Sequence, residues 1–371
     1  MKIPLSRPEI TRADIAAVNA VLRGTRLSLG EKLEQFERAV ARYAGTKHAV
    51  AMNSGTSALH VALAALGVGP GDEVIVPSFA FVAVANAVCH ARATPVFVEI
   101  EPNTLTLIPT AVEQAITRQT RAIVAVHTFG CPANMEKLLA IARRHRVALV
   151  EDACEAIGAE FRGTKVGSLG RAGIFAFYPN KQMTTGEGGV LVTSDDELAA
   201  RAKRLRNQGR GASQDWLDQP EIGYSYRLPE LNCALGISQL KRLDSVIRRR
   251  EKIAREYARR LGGIPGLELP QLGFPDRRVS WFTYAVRLAP RFTRADRDAI
   301  VRKMAARGIE CGRYFAPIHL QPAYRGIGRR AGDLTLTESL AGRVIALPFF
   351  NRMTNREIAR VSRTLRRSLV E

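Results

Sequence analysis

From residue 46 onward the chain alternates short β-branched runs with helical patterns, and this alternation limits its fold more than any other feature. The runs "KHAVAM", "DEVIVP", "TPVFVEI", "RAIVAVHTF" and "VALVED" read as strands. Between them, "SGTSALHVALAAL", "VAVANAVCHA" and "MEKLLAIARRHR" carry apolar residues at helical spacing. Strands of this kind, separated by helices, belong to an α/β fold with a mostly parallel sheet covered on both faces. In such sheets ligands gather beyond the carboxyl ends of the strands, so the residues that follow strands matter most. Two amphipathic helices, "TRADIAAVNAVLRG" and "EKLEQFERAVARYAG", precede the sheet, and Gly45 stops the second. After "RLPELNCALGISQL" and a long basic helix, the loop "IPGLELPQLGFPDRR" marks a weak boundary near residues 262–278. The strand "SWFTYAVRL", the helix "RADRDAIVRKMAARG", the loop "YFAPIHLQPAY" and the helix "NREIARVSRTLRRS" then form a smaller α+β unit.

The 371 residues are long enough for two domains, and 46% hydrophobic with 24% charged residues is ordinary globular usage. The start "MKIPLSRPEI" lacks the apolar stretch of a signal peptide, and the longest apolar helix is too short to span a bilayer. The cysteines, Cys89, Cys131, Cys154, Cys233 and Cys311, are scattered and never form a CxxC pair. A cytoplasmic protein is therefore expected, with no disulfide framework, no structural metal and no membrane insertion. The net charge of +20 raises nucleic acid as a partner. Yet the densest basic run, "KRLDSVIRRREKIAREYARR", keeps Leu243, Val246, Ile247, Ile253 and Tyr257 at helical spacing, which sends its arginines to the opposite, solvated face. With 45 of the 55 basic residues being arginine, the surplus reads as a compositional preference, and no nucleic-acid partner is expected. Anionic small molecules remain suitable ligands.

Four motifs follow strands. In "FAFYPNKQMTTGEGGVLV", Phe175 and Phe177 alternate as in a strand, Pro179 blocks a helix, and Gly186, Gly188 and Gly189 permit a tight turn. Lys181 thus sits on a constrained loop, either as a surface hairpin lysine or as an amine aimed into a site, where it serves as a Schiff-base nucleophile. In "NSGTSAL", Asn53, Ser54, Gly55, Thr56 and Ser57 open an apolar helix whose free N–H groups make an anion site, although ordinary N-capping explains the same residues. Asp152 ends the strand "VALVED", where a half-buried carboxylate needs a cationic partner, and Glu151 and Glu155 have no histidine at metal-ligand spacing. "PSFAF" places Phe79 and Phe81 at a strand end, and one of them could stack on a planar ligand. An anion cradle, a strand-tip Asp, a rim aromatic and a loop lysine together fit pyridoxal 5'-phosphate. The helix start holds its phosphate, Asp152 keeps its pyridine nitrogen protonated, and Lys181 binds its aldehyde.

The sequence also resembles the DegT-type sugar-nucleotide aminotransferases, within the aspartate-aminotransferase superfamily of fold type I. The resemblance runs from "RLSLGEKLEQFE" through "NSGTSAL", "PSFAFVAVANAV", "VHTFGCPANM", "VEDACEAIGA" and "FYPNKQMTTGEGG" to "GYSYRLPELNCALG" and "IHLQPAY". It implies a seven-stranded-type mixed sheet in a large domain, 31–245, a small C-terminal domain, 246–371, and an N-terminal segment, 1–30, packing with the small domain. It further implies a homodimer with active sites at the interface, L-glutamate as amino donor, a nucleotide-linked keto-sugar as acceptor, and pyridoxamine phosphate between the half-reactions. By motif, Gly55, Thr56 and Ser57 hold the phosphate, Phe81 stacks on the ring, Asp152 pairs with its nitrogen, Lys181 is the catalytic lysine, and Glu155 and Ser225 join the cofactor site. Arg26 and Ser28 around "LSLG", Arg227 in "GYSYR" and His319 in "APIHLQPAY" are candidates for the sugar nucleotide. Ala176 stands where the family commonly has a phosphate-binding serine, and Ser225 replaces a frequent asparagine that reaches across the dimer. Glu155, often Gln or His in relatives, and "TTGEGG" resemble members acting on 4-keto-6-deoxyhexoses, such as perosamine synthase, with a 3-keto sugar as the second candidate.

Three rival readings remain. A related dehydratase branch replaces the Schiff-base lysine with histidine, but Lys181 is present. A member acting on a non-nucleotide acceptor, as the aminohydroxybenzoate synthases do, shares the motifs. A basic regulatory protein could keep the fold without the chemistry, and would bind DNA in a salt-sensitive way.

Overall fold

The structure, a computed structural model, describes residues 2–211 and 218–370. The alternation that starts at residue 46 is realised as strands β1 (His48–Met52), β2 (Glu73–Pro77), β3 (Thr94–Val98), β4 (Thr120–Val126) and β5 (Ala148–Asp152). Beyond them come the short β6 (Glu160–Phe161) and β7 (Thr164–Lys165), then β8 (Ala172–Ala176) and β9 (Gly189–Thr193). The C-terminal third adds β10 (Leu267–Glu268), β11 (Arg277–Arg278), β12 (Tyr284–Leu288), β13 (Arg329–Arg330) and β14 (Val344–Leu347). The main sheet has eight strands in the order β1-β9-β8-β5-β4-β2-β3-β13. Its pairs are parallel from β8 to β13, and only β9 runs antiparallel to its neighbours β1 and β8. Seven of these strands make the mixed sheet that the sequence suggests, and the two-residue β13 caps its edge.

Side chains alternate across this sheet, so each strand feeds two cores. On one face Ala49, Ile75, Ile123, Leu149, Phe175 and Val190 pack under the helices α2 (Glu31–Ala44) and α6 (Met135–His145). On the other, Val50, Val76, Val124, Val150 and Ile174 lie under α3 (Gly55–Ala65), α4 (Ala83–His90) and α7 (Asp196–Arg206). Helix α2 ends at Gly45, whose φ of 81° is the left-handed cap read from the sequence. A third core surrounds the three-stranded sheet β10-β12-β14, covered by α9 (Leu243–Leu261), α10 (Arg294–Ala306) and α12 (Asn355–Val370). Ile3 belongs to this core and bridges Ile309. Residues after β12 do not all stay with that unit. Ile318, Tyr324 and Leu334 pack into the core of the main sheet, and β13 pairs with β3.

The apolar face of α9 is as the spacing indicates, with Leu243, Val246, Ile247, Ile253 and Tyr257 buried. One arginine departs from the solvated face. Arg250 is only 2% exposed, lies on the apolar side of the helix, and donates to the carbonyls of Trp281 and Phe282 and to Asn351. A buried guanidinium is tolerated there because its N–H groups find fixed acceptors.

Helix α1 (Arg12–Leu22) is held against α8 (Glu230–Leu240) through Asp14. Its carboxylate caps Thr11 N–H at 2.8 Å and accepts from Ser238 at 2.6 Å, Gln239 at 3.0 Å and Arg242 at 2.7 Å. Burial alone would raise this carboxyl, but the hydrogen bonds from Ser238 and Thr11 and the charge of Arg242 outweigh it and hold it below the ordinary carboxylate range. A carboxyl with a depressed folded value stabilises the protein above the unfolded value and loses that contribution as pH falls through the folded one. Asp14→Asn should therefore cost ~2 kcal/mol at pH 7 in chemical denaturation. The stabilities of variant and wild type should draw together as the solution is acidified.

Candidate active site

The carboxyl ends of β1, β2, β4, β5 and β8 open on one edge of the main sheet, and the motifs that follow them meet there. After β1, Ser54 caps α3 by accepting Ser57 N–H at 3.0 Å. The first-turn amides of Gly55 and Thr56 have no acceptor within the helix and form an anion site at its positive end. Two glycines let this helix start sit directly on the sheet. A Cβ on Gly55 would come within 2.8 Å of Ala176 and 3.0 Å of Cys154 Sγ. One on Gly189, at the start of β9, would lie 2.2 Å from the Ser54 carbonyl oxygen and 2.5 Å from the Gly55 nitrogen.

Lys181 follows β8 on a loop whose shape is fixed by its own polar groups. Lys181 N–H donates to the Tyr178 carbonyl at 3.0 Å, Thr185 N–H to that of Phe177 at 3.0 Å, and Phe177 N–H to that of Gly188 at 2.9 Å. The Thr184 hydroxyl also donates to the Phe177 carbonyl, and Asn232 on α8 donates to the carbonyls of Thr185 and Glu187. Gly186, at φ 84°, makes the reversal. The result is an inward lysine rather than a hairpin tip, with its side chain 13% exposed. Nζ stands 4.3 Å above the centre of the Phe282 ring and 3.6 Å from Glu155 Oε1.

Asp152 is placed by its neighbour. Glu151, fully buried, accepts from the His127 ring at 3.0 Å and from the N–H groups of Gly167, Leu169 and Gly170 at 2.7–2.8 Å. His127 Nδ1 accepts Ala133 N–H at 3.0 Å, which assigns the ring proton to Nε2 and makes His127 the donor to Glu151. Strand alternation then turns Asp152 to the opposite side, toward the helix start. There Asp152 accepts Cys154 N–H at 3.1 Å and faces the Cys154 thiol, and no basic side chain among the described residues forms an ion pair with it. Burial, with the Asp152 charge beside it, pushes the Cys154 thiol up and leaves it inert.

An aromatic wall closes one side. Phe129 stacks on Phe315 at 5.4 Å, and Phe315 stacks on Tyr314 at 5.2 Å. Of the two "PSFAF" rings, Phe79 is fully buried in this wall, whereas Phe81 is 63% exposed at the mouth. Phe282, which supports Lys181, has its carbonyl held by Arg250, and Asn351, another Arg250 partner, donates to the Gln182 carbonyl. The sequence reading missed Arg250, Phe282 and Glu151. The helical period of α9 contained a signal for Arg250, which falls in step with Ile247 and Ile253, whereas nothing local marked Phe282.

The remaining candidates lie farther out. Arg26 and Ser28 occupy an exposed loop that is pinned where the Glu230 carboxylate accepts the N–H groups of Gly30, Lys32 and Leu33. "GYSYR" runs beside β1, with Tyr226 accepting Asn53 N–H at 3.0 Å, Ser225 exposed and Arg227 donating to Asn207 at 3.1 Å. His319 is buried with both ring nitrogens engaged, at 2.6 Å from the Ser78 hydroxyl and 3.0 Å from Glu338. Among the described residues no group of three or more His, Cys, Asp or Glu is placed to hold a metal, and no helix is long and apolar enough to cross a membrane.

These residues fit pyridoxal phosphate on their own chemistry. The close glycine cradle suits a phosphate, the uncompensated strand-tip carboxylate suits a protonated pyridine, and the enclosed amine suits an aldehyde. Solved structures that share the whole architecture are aminotransferases of the pyridoxal-phosphate-dependent fold type I, and this chain is an enzyme of that class. S. venezuelae DesV, solved in complex with a ketimine intermediate, superposes with a TM-score of 0.91 at 39% identity, covering 100% of this chain and 99% of that one. Helicobacter pylori PseC, an aminotransferase involved in the biosynthesis of pseudoaminic acid, gives 0.94 at 28% identity with full coverage of both chains (100% each). The chain belongs to the DegT/DnrJ/EryC1/StrS aminotransferase family, whose model matches residues 8–366. Among curated relatives, the GDP-perosamine synthase of Caulobacter vibrioides is 40% identical over 92% of this chain and 91% of its own length. The Bacillus subtilis spore coat polysaccharide biosynthesis protein SpsC is 36% identical over 98% and 96%.

The cradle makes a direct prediction. Gly189→Ala forces backbone apart at the start of α3, so it should lower stability by about 1–3 kcal/mol. It should also weaken pyridoxal phosphate binding about tenfold or more in absorbance titrations, since that loss matches only ~1.4 kcal/mol. Gly69→Ala, at a glycine whose added Cβ would meet nothing within 4 Å, is the control and should change neither.

Proposed function

We propose that the enzyme moves the amino group of L-glutamate to a nucleotide-linked keto-sugar, with a 4-keto-6-deoxyhexose favoured over a 3-keto sugar. The observation that carries this reading is the enclosed Lys181 amine, on a sheet edge shared with Asp152 and with a helix start that Gly55 and Gly189 keep tight against the sheet. The name of the 40%-identical Caulobacter relative supports the acceptor class and puts GDP first among the nucleotides to test.

Lys181 would hold the cofactor, the amides of Gly55 and Thr56 with the Thr56 and Ser57 hydroxyls would bind its phosphate, and Phe81 would cover its ring. When bound, pyridoxal phosphate supplies an aldehyde for amines and an electron-accepting ring. Asp152 contributes a negative charge that keeps the ring nitrogen protonated. As a neutral amine, Lys181 Nζ would take a proton from the donor α-carbon and, as an ammonium, would give one back, which would make it both general base and general acid. Ala176 supplies no hydroxyl, so the phosphate depends more heavily on the helix start. Arg227 and Arg26 suit the acceptor pyrophosphate because guanidinium donors match phosphate oxygens in pairs. His319, bonded to Ser78 and Glu338, would act on the sugar only through the loop that it anchors.

A homodimer completes this reading. Leu27, Leu29, Phe81, Tyr178 and Ile222 are among the large apolar side chains left exposed, and they lie in or beside the motifs of Arg26, Ser28, Phe81, Lys181 and Ser225. A second copy would cover them and bring its Arg26, Ser28 and Ser225 toward the site.

Protein incubated with pyridoxal phosphate and reduced with borohydride should carry the reduced adduct on Lys181 by peptide mass spectrometry. Lys181→Ala should carry none and should lose all transamination. A panel of GDP-, UDP- and dTDP-linked 4-keto and 3-keto sugars, assayed with glutamate, should show amination of a 4-keto-6-deoxyhexose. Turnover of a non-nucleotide acceptor alone would replace the acceptor assignment and leave the cofactor reading standing.

A further inference from the structure

We propose that Glu155 is the proton partner of Lys181: it holds the Lys181 ammonium in the resting site and takes up one proton when Nζ becomes a neutral amine. This rests on Lys181 being the amine that binds the cofactor.

The geometry of the carboxylate is fixed from three sides. Oε2 accepts Phe129 N–H at 3.0 Å, and Phe129 adopts a left-handed φ of 56° where that N–H is presented. The Glu155 carbonyl accepts Gln182 Nε2 at 2.6 Å, which ties Glu155 to the residue after Lys181. Oε1 is left facing Nζ at 3.6 Å. That separation is an ion pair rather than a hydrogen bond, and a small rotation of the lysine side chain closes it. Both side chains are shielded, at 13% exposure for Lys181 and 10% for Glu155.

The charged surroundings of Glu155 are asymmetric. Asp152, the Cys154 thiol and the Tyr314 hydroxyl face it; burial keeps the thiol and the phenol neutral, so Asp152 is the charge that opposes a negative Glu155. Lys181 is the cation that favours it. Burial pushes the Glu155 carboxyl above the ordinary range, while the charge of Lys181 and the Phe129 amide pull it back. Once Nζ loses its charge, burial and Asp152 dominate, and the carboxyl takes the proton. One Nζ–H bond breaks and one Oε1–H bond forms. The pocket keeps its net charge, no co-reactant is needed, and the lone pair freed on Nζ is the one that attacks a carbonyl carbon. A glutamine at this position would keep the amide contact and the packing but could not accept a proton.

The test uses the full chain prepared without cofactor. Competitive acetylation with acetic anhydride across a pH series, read at Lys181 by peptide mass spectrometry, reports how much neutral amine is present. Glu155→Gln removes the counter-ion, so Lys181 should react about tenfold faster near neutral pH, with its profile displaced to lower pH. Glu155→Asp should stay close to wild type. Superimposed wild-type and Glu155→Gln profiles would overturn the proposal. A second measurement does not need that variant to fold alone: in Lys181→Met, infrared spectra at neutral pH should show the carbonyl stretch of a protonated carboxyl. That band should be missing from Lys181→Met/Glu155→Gln, and its absence from Lys181→Met would equally refute the partnership. If borohydride fixes no cofactor to Lys181 while the profiles separate, the cofactor reading fails, and what stands is the resting ion pair without its role in freeing a nucleophile. A fixed cofactor with superimposed profiles removes the pair and leaves the cofactor reading intact.

Discussion

The edge of the sheet that carries Asp152 and Lys181 depends first on a carboxylate buried behind it. Glu151, sealed in the sheet, gathers the His127 ring proton and three main-chain N–H groups from residues 167–170. Each donor would cost on the order of 1–3 kcal/mol if left buried without an acceptor. Glu151 therefore fixes the tip of β5 and also the loop that leads into β8. Asp152 is the next residue along the first of these strands, and Lys181 follows the second. A single buried carboxylate thus steadies both segments, the one that ends in Asp152 and the one that leads to Lys181.

The other constraint is the closeness of helix and sheet. Gly55 and Gly189 bring the first turn of α3 onto the ends of β8 and β9, where any side chain would collide with backbone or with Ala176. This contact concentrates unpaired amides and a helix dipole in the same few ångströms as the lysine loop. Arg250 serves the far side. By holding the carbonyls of Trp281 and Phe282 together with Asn351, it sets the ring under Nζ and steadies Gln182. Charge deep in the C-terminal unit is in this way tied to the geometry of the large sheet.

Much of this was legible in the residues. The strand and helix periods gave the doubly covered sheet, Gly45 gave a helix end, and the glycines around Lys181 gave a constrained loop. The motifs after strands gave Gly55, Asp152 and Lys181, because a parallel sheet sends all such segments to one edge. What stayed hidden depends on partners distant in sequence. Glu151 reads as a polar residue beside Asp152 until the loop at 167–170 folds onto it. Phe282 reads as one aromatic in a strand-like run, and only the return of the chain puts it beneath Nζ. His319 was read for its imidazole, but the Ser78 hydroxyl and Glu338 occupy both of its nitrogens. Spacing along a strand or helix is a local property, whereas a hydrogen-bond partner 241 residues away is not.

The two-residue strand β13 carries one more implication. It stitches a segment that follows the small sheet back onto the outer edge of the large one, between Arg329–Arg330 and Val96–Phe97. The C-terminal unit is therefore fastened at two separated points, through α9 on one flank and this stitch on the other. A body anchored twice cannot swing freely about a single hinge. Rotation of the C-terminal unit against the large sheet is opposed on both flanks, which keeps Phe282 registered against the loop that carries Lys181.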